Sequence, residues 1–231
     1  MKRTMMKIAT WNVERLEHKS KLGAIVSACQ REDADIFVLT ETDERIRLSG
    51  YPFCYSTVPP LDHELPPYLM PVHYAPTERR VMIYSKYPCI RQHSTYDEST
   101  AICVELETEY GNLLVYGSII GIHGHRKPFF MDELHGQMTD LRRLAAEGHQ
   151  ICFLGDYNCS FADNYYPNST GKAAILECFA ETDISLLTSD RRECIDHIAV
   201  SKRFIGNFMP SITEWNLDKE LSDHKGIAVT F

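Results

Sequence analysis

Residues 151–158 read Ile-Cys-Phe-Leu-Gly-Asp-Tyr-Asn, and this stretch predicts a buried strand that ends in polar side chains. Four consecutive apolar residues suit a strand covered on both faces, and Gly155 interrupts the run. Asp156 and Asn158 follow with one residue between them, so an extended chain places both on one face. The acid can then take a proton or hold a metal while the amide contacts a substrate oxygen. An Asx-turn that closes the strand is the alternative interpretation.

Polar residues also occur at the ends of four other predicted strands. They are Asn12, Glu41, the pair Asp196-His197 and the pair Asp223-His224. Carboxylates near a sheet interior need a partner charge or a metal, so stability alone does not favour several of them at strand ends. Because successive strand residues point to opposite faces, His197 is expected to pack away from the site if Asp196 faces it.

The order of the predicted elements indicates a layered domain that contains both helices and strands. Helical spacing predicts helices that end near Asp33, over 131–146 and over 172–181, while residues 51–79 are interpreted as a long loop. Strands are predicted at 7–12, 35–39, 81–84, 102–106, 113–120, 151–154, 194–201, 205–213 and 225–231. No repeat or linker divides the chain, so residues 1–231 are expected to form one domain.

Composition sets limits on the class of protein. Hydrophobic residues make up 44% and charged residues 24% of 231 residues, which provides an ordinary globular core. The formal charge of −8 argues against a broad basic surface for non-specific binding of nucleic acid. A divalent cation in an acidic cleft would still allow a phosphate substrate to bind locally.

The eight cysteines are scattered and form no Cys-x-x-Cys pair. Several lie in apolar runs, which is typical of core thiols in a reducing compartment, and a cytoplasmic location is expected. Neither a signal peptide nor a membrane span is predicted from the sequence.

Five short motifs follow one another along the chain: Trp11-Asn12-Val13, Thr40-Glu41-Thr42, Gly155-Asp156-Tyr157-Asn158, Ile195-Asp196-His197-Ile198 and Ser222-Asp223-His224. Taken together, they resemble the endonuclease/exonuclease/phosphatase superfamily, the deoxyribonuclease I-like proteins. They extend over nearly the whole chain, and their order is more specific than any one of them. The resemblance implies an α/β (α+β) four-layered sandwich, with two mixed β-sheets face to face and helices on the outside. It also implies metal-assisted hydrolysis of a phosphoester.

The resemblance further implies a role for each matched residue. Glu41 is similar to the principal Mg²⁺ ligand, with Asn12 and Asp223 completing or bordering the metal site, and Mn²⁺ is a possible substitute. Asp156 resembles the residue that orients or deprotonates the attacking water, and Asn158 the one that contacts the scissile phosphate. His224 with Asp196 resembles the family's His-Asp couple. Whether Asp156 or His224 is the base stays open at this point.

The match has two gaps. Many relatives place histidine or tyrosine where this chain has Ser118, so Ser118, or His123 a few residues later, is the candidate substrate contact. Deoxyribonuclease-like relatives also carry an arginine where residues 97–99 read Asp-Glu-Ser. The tyrosines Tyr165 and Tyr166 are a further candidate wall for the substrate.

These residues predict a magnesium-dependent phosphodiester hydrolase, most simply a nuclease acting on nucleic acid or a nucleotide-like diester. Two alternatives stay open. One is a phosphatase of a lipid-like or sugar phosphate that uses the same residues. The other is a binding module that has lost turnover. The phosphodiester is the expected partner, and no protein partner is inferred.

Overall fold

The computed structural model describes residues 5–16, 19–60, 73–122 and 128–231. Within these ranges the strands are β1 (Lys7–Asn12), β2 (Ile36–Asp43), β3 (Phe53–Ser56), β4 (Glu78–Ser85), β5 (Cys89–His93), β6 (Ala101–Thr108), β7 (Gly111–Ile119), β8 (Ile151–Asp156), β9 (Ile184–Leu186), β10 (Asp196–Ser201), β11 (Ser211–Trp215) and β12 (Gly226–Thr230). The α-helices are α1 (Leu22–Glu32), α2 (Phe129–Ala146), α3 (Ser169–Glu181) and α4 (Lys202–Ile205). Two short 3₁₀ turns, Glu14–Leu16 and Lys19–Lys21, precede α1.

The strands form two six-stranded sheets. The first has the order β11-β12-β1-β2-β4-β3, and the second has the order β5-β6-β7-β8-β10-β9. Each sheet is mixed, because β1 pairs with β2 and β7 pairs with β8 in parallel, while the other neighbours are antiparallel.

Strands buried on both faces explain the four layers. In β2, Ile36 and Val38 belong to the core between the two sheets, whereas Phe37 and Leu39 pack with Ile25 of α1. The outer face of the second sheet is covered in the same way by apolar side chains of α2 and α3. Such alternation divides each continuous apolar run between two cores. The predicted four-layered sandwich is confirmed.

The local signals explain most helix boundaries. In α2, Leu134, Met138 and Leu141 repeat at helical spacing and are fully buried or nearly so. Gly148, at φ +87°, follows the helix in the left-handed conformation that suits glycine. The side chain of Asn168 caps α3 by accepting a hydrogen bond from the Gly171 backbone N–H at 2.9 Å. None of the helices in the described ranges is long and apolar enough to cross a membrane.

Two predictions about secondary structure are wrong. Residues 205–213 contain the end of α4 and the start of β11 rather than one strand. Gly206 has a φ of +62° and Pro210 offers no backbone N–H, so both residues interrupt the apolar pattern. The predicted loop 51–79 includes strand β3, and its part at 61–72 lies outside the described residues.

Candidate active site

Asp156 and Asp196 lie directly opposite each other where β8 and β10 pair. The antiparallel register aligns Asp156 with Asp196 and Gly155 with His197. Both aspartates are almost completely buried, at 2% and 1% exposure. The register therefore brings two carboxylates from distant parts of the sequence to one end of the second sheet.

Gly155 permits this pairing because no larger residue fits beside β7. Its φ is +136°, and a Cβ atom built there would lie 1.9 Å from the Ser118 carbonyl oxygen. The backbone of β8 therefore approaches the backbone of β7 closely at Gly155, immediately before Asp156.

Gly155→Ala is expected to lower the free energy of unfolding by about 3 kcal/mol or more, through backbone strain and overpacking. Chemical denaturation of the two proteins measures this. Gly23→Ala is the matched control, because a Cβ atom placed at Gly23 would meet nothing within 4 Å and α1 favours alanine. Equal effects of the two substitutions would contradict the packing argument.

His224 is held against Asp196 by a short contact. Its Nδ1 lies 2.6 Å from Asp196 Oδ2, and because an ionised carboxylate only accepts, the ring N–H donates. The segment that carries His224 is anchored by Trp11, whose Nε1 donates to the His224 carbonyl at 3.0 Å. Ser222 Oγ donates to the Asn12 carbonyl at 2.7 Å. These bonds orient the ring so that Nε2 is the nitrogen left for a substrate.

Asn12 joins the two sheets at the same place. Its amide nitrogen donates to Asp156 Oδ2 at 3.0 Å, and its amide oxygen accepts from the Glu14 backbone N–H at 2.9 Å. The first sheet thus contributes Asn12, and the second contributes Asp156 and Asp196.

Glu41 and Asn158 both have left-handed backbone conformations that non-glycine residues seldom adopt. Their φ angles are +44° and +47°. Such conformations store strain and occur often at functional sites. The Asn158 side chain donates to the Ile120 carbonyl at 2.8 Å, and its backbone N–H donates to Asp156 Oδ1 at 2.9 Å. Asn158 is therefore fixed beside Asp156.

Burial and charge shift the pKa values of these groups upward. Burial raises the pKa of Asp156 to about 7, although the neighbouring His224 opposes the shift. Burial alone would lower the pKa of His224, but the charges of Asp196 and Asp156 raise it to about 10. Burial also raises the pKa of Glu41, against the charge of His224 and a hydrogen bond from Asn12. At neutral pH His224 is therefore an imidazolium beside a carboxyl group that titrates near 7.

Asp223 lies on the rim of the site. Its side chain is 67% exposed, and Oδ1 is 3.6 Å from His224 Nε2. It is near enough to Glu41 to raise the pKa of that carboxyl.

The donor set fits a hard divalent cation. Glu41, Asp156 and Asp196 place three carboxyl groups near the single imidazolium of His224, and burial raises the pKa of each carboxyl group. Oxygen ligands of this kind are the ones that Mg²⁺ prefers.

The structure does not bring Ser118 into the site, which corrects that prediction. Ser118 is fully buried, and its hydroxyl donates to Gln137 of α2. Its side chain points to the outer face of the second sheet, as Tyr116 does two residues earlier. His123, the other predicted substrate contact, lies outside the described residues. His197 packs away from the site, as expected, with Nδ1 2.9 Å from Thr188 Oγ1.

Several rim residues were not identified from the sequence. A cleft of about 130 Å³ beside His224 is lined by Tyr165, Tyr166, Lys219 and Lys225, among others. Of these four residues, the sequence indicated only Tyr165 and Tyr166, as a candidate wall for the substrate. On the other side, Arg15 lines a depression that includes Glu41. The sequence gives no indication of a role for Arg15 except its position shortly after Asn12.

A larger cavity of about 350 Å³, lined by residues such as Ile46, Tyr51 and Cys54, contains none of the residues of this cluster. The chemistry of the side chains, rather than the volume, marks the cluster around His224 as the candidate active site.

Comparison with known proteins shows the family of this chain. The profile of the Endonuclease/Exonuclease/phosphatase family matches residues 9–224. A comparison with curated proteins found no significant match.

Solved structures share the fold at low identity. An endonuclease/exonuclease/phosphatase protein from Beutenbergia cavernae is 13% identical, with a TM-score of 0.70, over 99% of this chain and 71% of that one. The 3' phosphatase NExo from Neisseria, bound to a product DNA hairpin, is 16% identical, with a TM-score of 0.68, over 98% and 99% of the two chains. An AP endonuclease from Archaeoglobus fulgidus is 12% identical, with a TM-score of 0.68, over 98% and 99%.

Fold and site together define a hydrolase of phosphoester bonds. The chain belongs to the endonuclease/exonuclease/phosphatase family, whose members are metal-dependent enzymes of this type. The predicted family is confirmed.

Proposed function

We propose that this protein is a magnesium-dependent phosphodiester hydrolase of the nuclease type, which cleaves its substrate by attack of water. The observation that carries the proposal is the buried cluster in which His224 contacts Asp196 at 2.6 Å beside Asp156. A base near its pKa at neutral pH, next to a fixed positive charge, is what hydrolysis of an anionic ester requires.

Asp156 is the base in this proposal. Its pKa of about 7 leaves a substantial ionised fraction at neutral pH, so it can accept the proton of water. His224, with a pKa of about 10, holds its proton at neutral pH and is therefore a poor base. Its imidazolium instead stabilises the negative charge that develops on the phosphoryl oxygens. Asp196 orients the ring, and Asn158 contacts the phosphate.

Glu41, with Asp223 and Asn12 beside it, would hold the metal. A bound Mg²⁺ polarises the phosphoryl oxygen and offsets developing charge, and Mn²⁺ has the same preference for oxygen ligands. Asn12 also positions Asp156, since its amide nitrogen donates to that carboxylate at 3.0 Å.

The rim chemistry favours a nucleic-acid or nucleotide-like substrate. Tyr165 and Tyr166 offer aromatic surface for base stacking, and Lys219 offers positive charge for phosphates in the same cleft. The Neisseria relative was solved with a DNA hairpin. Because the net charge of this chain is −8, we propose that contact with the substrate is confined to this rim.

Purified protein is expected to hydrolyse at least one member of a set comprising supercoiled plasmid, single-stranded DNA, RNA and a 3'-phosphorylated oligonucleotide. Cleavage is expected with Mg²⁺ and to stop when a chelator is added. Gel analysis and phosphate release measure the two kinds of product. Hydrolysis of a sugar or lipid-like phosphate alone would assign the site to a phosphatase. No turnover, with Mg²⁺ still raising the melting temperature, would identify a silent binding module.

We also propose a cytoplasmic location for this chain. All eight cysteines are free thiols, and six of them are buried. Burial raises the pKa of Cys159 and of Cys178 to about 11, so both remain protonated and unreactive. This use of cysteine as a small core residue is typical of reducing compartments.

A further inference from the structure

A second group of metal-ligating side chains lies on the outer face of the second sheet, where α2 ends. It consists of His93 at the end of β5 together with Glu147 and His149, which follow α2. One ligand atom from each residue lies within 4.8 Å of those of the other two. The two imidazole rings meet edge to face, with their centroids 5.1 Å apart.

One partly buried carboxylate, Glu105, and one exposed carboxylate, Glu147, lie beside the rings without forming tight hydrogen bonds. His93 Nε2 is 3.4 Å from Glu105 Oε2, and His149 Nε2 is 3.5 Å from Glu147 Oε2. Both separations exceed the usual range of about 2.7–3.2 Å for a hydrogen bond between nitrogen and oxygen. The side chains of His93 and Glu105 are only 6% and 12% exposed. Four titratable groups thus converge at the margin of a helix-sheet interface, where polar groups are costly unless they are paired.

We propose that His93, His149 and Glu147 form a binding site for Zn²⁺, with Glu105 holding the ring of His93 in place. Two imidazoles and a carboxylate are a common three-residue ligand set for zinc. A carboxylate behind a ligating histidine fixes the ring and strengthens binding. Glu105 is itself held, because its Oε1 accepts from Asn112 Nδ2 at 3.0 Å.

Only small side-chain movements are needed to close the site. Tetrahedral zinc with bonds of about 2.0–2.2 Å requires its ligand atoms to lie about 3.3 Å apart. Glu147 can move its side chain, which is 47% exposed and contacts the Arg143 guanidinium at 3.4 Å on the surface. His149, at 23% exposure, also borders solvent.

The ligand type distinguishes this site from the active site. Imidazole nitrogens favour zinc and other first-row transition metals, whereas the oxygen donors around Glu41 favour magnesium. The two places are also far apart along the sheet. His149 precedes β8 and Asp156 ends it, a separation of about 20 Å at the rise of an extended strand.

Bound zinc would connect the edge strand β5 to the end of α2 and the start of β8. In its sheet β5 pairs with β6 alone, and its register shifts between Cys89 and Arg91. An edge strand with a bulge gains stability from any ligand that binds only the folded state. The proposed role of the metal is therefore structural.

Zinc binding to the full chain tests the proposal, with excess Mg²⁺ present to occupy the oxygen site. Titration against a chromogenic chelator measures the stoichiometry and affinity of zinc binding. The same titration in Glu41→Gln shows the binding that remains when the active site binds zinc more weakly. We expect one zinc ion to bind, with an affinity that falls at least about 100-fold in His149→Ala. His135→Ala is the matched control, because His135 is exposed on the middle of α2, away from the cluster.

Thermal unfolding supplies a second measurement. Zinc is expected to raise the melting temperature of the parent protein and of His135→Ala but not that of His149→Ala. Because His149 is partly exposed, this variant should fold, and unchanged phosphoester hydrolysis would verify that. Equal zinc affinity and equal stabilisation by zinc in the parent and in His149→Ala would overturn the proposal. Zinc binding that is lost in Glu41→Gln but kept in His149→Ala would also overturn it.

Discussion

Replacing His224 by alanine is expected to lower kcat at neutral pH by about 10³-fold with any substrate that the enzyme cleaves. The substitution removes the imidazolium that is held 2.6 Å from Asp196 and leaves that buried carboxylate without its counter-charge. Steady-state hydrolysis at saturating Mg²⁺ measures the loss. His135→Ala removes an exposed histidine of α2 and should retain full activity.

The pH profile of the same variant separates a chemical role of His224 from a structural one. Activity of the parent enzyme should rise with pH as Asp156 loses its proton, around its pKa of about 7. The positive charge of His224 lowers the pKa of Asp156, so its removal should move this rise to higher pH at a fixed Mg²⁺ concentration. A loss of rate with no movement of the rise would contradict the electrostatic link between the two residues.

Glu41→Gln is expected to abolish the stabilisation by Mg²⁺ and to reduce hydrolysis by more than about 10²-fold, because the main anionic ligand is lost. In the parent protein, Mg²⁺ at 100 times its dissociation constant should add about 2.7 kcal/mol to the free energy of unfolding. Thermal unfolding with Mg²⁺ and with chelator measures this difference. Glu44→Gln, three residues away and exposed, is the control and should keep the full response to Mg²⁺.

The direction in which Glu41→Gln changes the stability of the metal-free protein is a sharper test of the assignment of Glu41. Burial raises the pKa of Glu41, so the ionised side chain destabilises the folded protein at pH values above its unfolded pKa. Glutamine carries no charge, and Glu41→Gln should therefore be more stable than the parent in chelator at pH 7. A variant that is less stable in chelator, or that still responds to Mg²⁺, would contradict the assignment of Glu41.

The local sequence predicted much of the fold. Residues 151–154 form a strand buried on both faces, and the helix predicted at 131–146 corresponds closely to α2. These predictions succeed because apolar periodicity and glycine signals act over a few neighbouring residues. The strand predicted at 205–213 fails because Gly206 and Pro210 interrupt a pattern that hydrophobicity alone favours.

Among the described residues predicted for the site, the structure brings most of them together and places Ser118 elsewhere. Asn12, Asp156, Asp196 and His224 are brought together, with Asp223 at the rim. Ser118 was placed on the wrong face, because alignment by motif does not reveal which way a strand residue points. Lys219 belongs to none of the motifs, so they gave no indication that it lines the cleft beside His224.

By itself, the sequence determined which residues are candidates for the chemistry, because carboxylates, an amide and a histidine at strand ends are visible as types and positions. The tertiary structure alone decided which of these side chains meet. The register that pairs Asp156 with Asp196, and the bond from Asn12 across the two sheets, join residues that are 40 and 144 positions apart. Such contacts depend on the packing of whole sheets, and no local pattern encodes them. Burial in that packing, rather than residue type, also raises the pKa of Asp156 to about 7.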